Sequence, residues 1–154
     1  MNQDKLGEMA IQALERTAFV SAEPADSEFL DELDPCEWYT KINYTGPISG
    51  SVYLAGSPGF MLGLASSLLG VDVEDVSINK EGLDALRELT NIVGGSVVSA
   101  LGGDHCKLSL GLPEVIKNAD FPSGGSGQHC ILDAEGERLD IYWQPAEGAS
   151  AKAA

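Results

Sequence analysis

Three side chains along one stretch could do chemistry together: Asp84, Glu88 and Asn91. Residues 80 to 101 are apolar at helical intervals, and a helix turns about 100° per residue. With Asp84 at zero, Glu88 falls at about 40°, Asn91 at about −20° and Gly95 at about 20°. Leu86, Leu89, Val93, Val97 and Ala100 point the other way, at roughly 140° to 220°. The spacing predicts a helix that buries an apolar stripe and lines up two carboxylates and a carboxamide on its exposed ridge. A carboxamide donates and accepts hydrogen bonds at once, so it can hold a water in a chosen direction. A carboxylate facing a partner's cation supplies register more than affinity. On spacing alone, a solvated helix face with an i,i+4 carboxylate pair accounts for the same residues.

Two glycines, Gly94 and Gly95, follow one turn later. Each costs a helix interior about 1 kcal/mol against alanine. Such a pair suits a helix whose backbone is closely approached, either by its own sheet or by an outside partner. Gly102-Gly103 is the expected stop.

The elements that must position this helix are legible at a coarse level. Leu6, Met9, Ala10, Ala13 and Leu14 predict an amphipathic helix over 3 to 19. Residues 21 to 36 carry Glu23, Asp26, Glu28, Asp31, Glu32 and Asp34 between breakers Pro24 and Pro35, which predicts a solvated surface loop with at most a short helix. Residues 37–44 and 48–55 read as strands around a Gly46-Pro47 turn. A short buried helix over 60–69 should end at Gly70. A strand is expected over 106–112, closed by Pro113, then a flexible loop at 121–127 and a hairpin of 128–133 with 138–143 around Ala134-Glu-Gly136. The expected fold class is α+β, a two-layer domain with a mostly antiparallel sheet. One domain should span 1–144, with 145–154 as a small-residue tail. The order looks like a degenerate duplication, since Asp4 and Glu8 repeat the spacing of Asp84 and Glu88. Ile11 stands where the second helix has Asn91.

Composition narrows the partners. The chain has 154 residues, 44% of them hydrophobic and 21% charged, enough for one domain with a core. Its net charge of −15 sets aside nucleic acid and anionic membranes. Met1 to Glu8 lack an apolar export segment, and the apolar run from Gly59 to Val71 is too short to span a bilayer. A cytoplasmic location is expected. Three cysteines with no Cys-x-x-Cys read as buried thiols. His105-Cys106 and His129-Cys130 suggest zinc at first sight. On strands, however, adjacent residues face opposite ways, so four ligands would not converge, and no metal is expected.

The run Asp84-Ala-Leu-Arg-Glu88-Leu-Thr-Asn91-Ile-Val-Gly-Gly resembles the active-site helix of the CheC/CheX/FliY chemotaxis phosphatases. Pro113 stands near the place of that family's later proline, and the 46–56 hairpin with the helix after it is also similar. The resemblance covers roughly residues 4 to 144. It implies a CheC/CheX-like fold and dephosphorylation of the phospho-aspartate of a CheY-like response-regulator receiver. It gives Asn91 the role of orienting the attacking water and Glu88 that of docking a receiver lysine, with Asp84, Gly94 and Gly95 flanking the contact. No cofactor is implied in this chain, because Mg²⁺ is held by the receiver. A homodimer joined at sheet edges is also implied. With Ile11 in the first helix, one functional site is expected, as in CheX. The alternative is a non-catalytic signalling domain of the same fold that binds a receiver or another chemotaxis partner.

Overall fold

The computed structural model describes residues 1–102 and 107–146. Three helices, α1 (Gln3–Ala18), α2 (Pro58–Leu69) and α3 (Leu83–Gly102), join seven strands among the described residues. The strands are β1 (Ala22–Pro24), β2 (Trp38–Thr45), β3 (Gly50–Gly56), β4 (Ser109–Leu110), β5 (Glu114–Ile116), β6 (Gln128–Ala134) and β7 (Glu137–Pro145). Every pairing is antiparallel, in the order β1-β6-β7-β3-β2-β4, with β5 also against β2. The expected α+β class with a mostly antiparallel sheet is what forms.

Local chemistry sets the ends of these elements. The Asn2 side chain accepts from the Lys5 amide at 2.8 Å and caps α1. Ser57 caps α2 through the Phe60 amide at 3.3 Å, Pro58 opens its first turn, and Gly70 closes it at φ 70°. The β6–β7 hairpin turns on Glu135 and Gly136, both at positive φ (53° and 89°), the two-residue geometry that matches strand twist.

Alternation along the strands divides the sheet into two faces. Ile42, Val52, Leu54, Leu132, Leu139 and Ile141 point to one face and are buried with α1, α2 and α3. The other face carries Tyr39, Tyr53, His129 and Tyr142, with the Phe121 ring packed among them, tilted against Tyr39 and edge-on to the other three, at centroid distances of 5.5 to 6.3 Å. There Arg138 clamps the buried Asp140 with Nε and Nη2 at 2.8 and 3.0 Å, and His129 Nε2 lies 3.1 Å from it. Burial works against the Asp140 charge, but the His129 and Arg138 hydrogen bonds outweigh it and hold the carboxyl below its ordinary range.

Several sequence expectations need correction. The acidic 21–36 stretch contains a short strand, β1, paired with β6, and a 3₁₀ turn at Ser27–Glu32. A Pro at its end and a three-residue length hid that strand from periodicity. Of the expected 106–112 strand, Cys106 lies outside the described residues and the rest forms a strand only at Ser109–Leu110, and an unanticipated β5 follows Pro113. Helix α3 includes Gly102 and is preceded by a π-turn at Ile78–Gly82, whereas Gly103 lies outside the described residues. Pro145 still pairs with Gly50, and the Ala146 amide reaches Ser49 O at 2.9 Å, so the sheet outlasts the expected boundary at 144. The rest of the expected tail, 147–154, is outside the described residues.

Candidate functional site

Helix α3 is seated on β2 and β3 by Leu86, Leu89, Val93 and Val97, all fully buried. Ala100, expected in that stripe, is exposed, because no residue of α3 beyond Val97 is buried. A polar clamp adds direction to this apolar seat. Thr90 Oγ1 donates to Leu86 O at 2.6 Å, so the Thr40 hydroxyl must donate to Thr90 Oγ1, also at 2.6 Å. Both hydroxyls are buried and satisfied. Thr90 is thus pinned to the sheet, and its neighbour Asn91 is turned to the outside.

The ridge stands where the angular reading puts it: Asp84, Glu88 and Asn91 are all exposed. Asp84 is not a free carboxylate, however. Arg87 Nη2 donates to its Oδ1 at 2.7 Å. An exposed i,i+3 pair like this adds little stability, at most about 0.5 kcal/mol. Its effect is on charge. It neutralises the N-terminal end of the ridge and leaves Glu88 as the carboxylate there with no ion-pair partner among the described residues. Arg87 was missed in the sequence reading, although the Asp-x-x-Arg spacing is a direct sign of it.

The two glycines separate into different roles. Gly94 is buried, and a Cβ there would lie 2.9 Å from Ile42 Cγ2 and 3.3 Å from Leu110 Cδ1. It lets α3 approach β2, so the expectation that it meets a partner is corrected: the sheet occupies that side. Gly95 has nothing within 4 Å of a built Cβ and lies on the ridge side. Gly95→Ala should therefore raise stability by about 1 kcal/mol through helix propensity. Gly94→Ala should lower it by about 1–3 kcal/mol through overpacking. Thermal melts of the two variants, moving in opposite directions, check this.

The other candidates resolve as follows. In β6, Cys130 is buried on the helix side and His129 lies on the opposite face, as strand alternation requires. His105 and Cys106 lie outside the described residues. Among the described residues no three His, Cys, Asp or Glu side chains converge as metal ligands. Cys36 is half-buried, and burial with the nearby Asp140 charge pushes its thiol up to about 12, which leaves it inert as a nucleophile. Pro113 sits half-buried between β4 and β5. On α1, Asp4 and Glu8 are exposed, but Ile11 packs against the core. No helix among the described residues is long and apolar enough to cross a membrane.

The structure is thus a sheet covered on one face by helices, one of which turns Glu88 and Asn91 outward. The sequence matches the family described as Chemotaxis phosphatase CheX over residues 39–132, a span that contains the whole α3 ridge, and the chain belongs to this family. Solved structures agree on the fold. The chemotaxis protein CheX from Vibrio vulnificus is 17% identical, with a TM-score of 0.73 over 93% of this chain and 95% of that one. The CheX-CheY-BeF3-Mg+2 complex from Borrelia burgdorferi gives 16% identity and a TM-score of 0.68 over 95% and 99%. A CheC-like protein from a Shewanella species gives 20% identity and a TM-score of 0.66 over 93% and 96%. No curated protein matches the sequence.

Proposed function

We propose that this chain dephosphorylates the phospho-aspartate of a CheY-like receiver, with Asn91 orienting the attacking water and Glu88 docking a receiver lysine. The observation that carries this reading is the shared exposure of Glu88 and Asn91, one turn apart, on the side of α3 opposite its buried stripe. An acyl phosphate is already reactive, so the site needs position more than a strong base. Asn91 Oδ1 accepts a hydrogen bond from the water while its amide group donates to a neighbouring oxygen. Water oxygen bonds to phosphorus, the bond from phosphorus to the aspartyl oxygen breaks, and carboxylate and inorganic phosphate leave. The Mg²⁺ that balances phosphoryl charge belongs to the receiver, and this chain binds no cofactor. The Borrelia CheX is seen with CheY, which supports a receiver as the partner. Asp84, tied to Arg87, and the open Gly95 flank the contact. The setting is the cytoplasm, where such receivers reside.

Glu88→Ala tests the docking role. The expected result is a raised KM together with a lower rate, since its proposed partner is a lysine across the interface. Unfolding free energy should change by less than about 0.5 kcal/mol, because the side chain is on the surface. Steady-state decay of a phosphorylated receiver, with a denaturant melt in parallel, reads both.

A homodimer is part of the same proposal. The β1 edge is three residues long, ends in Pro24 and is acidic, which blunts it. The opposite edge, at β4 and β5, exposes Leu112 (89%) and Val115 (43%) and is the better candidate for edge pairing. Light scattering should give a dimer, and Leu112→Asp with Val115→Lys should shift it to a monomer. A monomer for the unaltered chain at high micromolar concentration would count against this edge.

A further inference from the structure

We propose that the groove between α1 and the segment following β1 docks a basic amphipathic peptide segment of a partner protein, at a site separate from the α3 ridge. The groove encloses about 510 Å³, a volume in the range of binding clefts. Its walls are mostly apolar, with Ile11 from α1, Leu30 from the 3₁₀ turn and Ile131 from β6. Gly7 sets the depth. A Cβ there would come within 2.8 Å of Cys130 Sγ, so only glycine lets α1 sit this close to β6.

The α1 bank of the groove is acidic: Asp4 and Glu8 line it, one turn apart. The other bank is formed by Pro24, Ala25, Ser27 and Leu30, with Asp26 and Glu28 beside Ser27 in the chain. All four carboxylates are exposed and make no ion pair among the described residues. The segment from Ser21 to Cys36 carries six carboxylates and no Lys or Arg. Asp4 and Glu8 are like charges one turn apart on the same bank, and a cationic occupant relieves their repulsion. Asp4 and Glu8 are not joined by a third ligand in a convergent set among the described residues, which disfavours a single divalent ion. An occupant that satisfies the acidic α1 bank and the apolar walls together carries Lys or Arg beside apolar anchors. The α1 ridge has Ile11 where α3 has Asn91, so this groove offers docking and not hydrolysis.

Fluorescence anisotropy of the full chain at about 0.15 M salt tests this, where long-range attraction is largely screened. The probes are two labelled peptides of equal charge, one alternating Lys with Leu and one alternating Lys with Ser. The Lys-Leu peptide should bind at least about tenfold more tightly than the Lys-Ser peptide. Glu8→Lys and Leu30→Ser should each weaken it by about tenfold, and Glu74→Lys, an equal charge change outside the groove, should leave it unchanged. Circular dichroism melts establish that the three variants fold. No binding of the Lys-Leu peptide, equal binding of both peptides, or equal losses from Glu8→Lys and Glu74→Lys would overturn the proposal. Displacement of the peptide by unlabelled chain would assign the groove to a second copy and overturn it as well.

Discussion

Asn91→Ala is expected to lower the rate of receiver dephosphorylation by about 10²-fold or more, the usual cost of one preorganised transition-state contact. The side chain lies on an exposed ridge and makes none of the side-chain hydrogen bonds found among the described residues. Its removal should therefore change unfolding free energy by less than about 0.5 kcal/mol. Binding to the phosphorylated receiver should persist, because docking is assigned to Glu88. The predicted signature is a fall in kcat with little change in KM, the mark of an interaction made in the transition state. Asn91→Asp separates geometry from chemistry. It keeps the shape but loses the amide donor and adds a negative charge beside a phosphoryl group, so it should be no better than alanine. Moving the carboxamide to the other helix, as Ile11→Asn, should not restore activity, since Ile11 packs against the core and the α1 surface is built differently.

Leu89→Ala should act on the opposite link of the chain, from packing to stability. Leu89 is fully buried in the stripe that seats α3, one residue from Glu88 and one from Thr90. Loss of its buried methyl groups, together with the cavity left behind, should cost about 2–5 kcal/mol. For a domain of this size that lowers Tm by roughly 5–20 °C. Below the shifted transition the folded fraction should still turn over substrate, because the Thr90–Thr40 clamp continues to aim the ridge. Denaturant unfolding and a low-temperature activity assay on the same variant read the two effects separately.

The contrast between these variants follows the part of the molecule that was legible in the sequence. Helical periodicity over 80–101 separated Leu86, Leu89, Val93 and Val97 from Asp84, Glu88 and Asn91, and the structure keeps that division. The β6–β7 hairpin was legible for a similar reason: Glu135-Gly136 is a local turn signal between alternating segments. What escaped depends on partners distant in the chain. β1 and β5 are three-residue strands whose pairing is decided by β6 and β2, not by their own pattern. The fates of Gly94 and Gly95 look alike in sequence and differ only because Ile42 and Leu110 arrive on one side. Nothing local in the sequence marks Thr90, and only the approach of Thr40 makes it the clamp behind the site. Arg87 was the exception, since its pairing with Asp84 is local and the spacing already carried it.

Turnover of a phosphorylated receiver can be read in one time course. A CheY-like receiver from the same genome is phosphorylated with a small-molecule donor in the presence of Mg²⁺. The donor is removed, and loss of the phospho-aspartate is followed with the chain present at a small fraction of the receiver concentration. The expected result is that the chain accelerates decay over many turnovers, that Asn91→Ala abolishes the acceleration while still binding the phosphorylated receiver, and that inorganic phosphate appears in step. Decay at the intrinsic rate with the unaltered chain bound to the phosphorylated receiver would contradict it and make the protein a receiver-binding module.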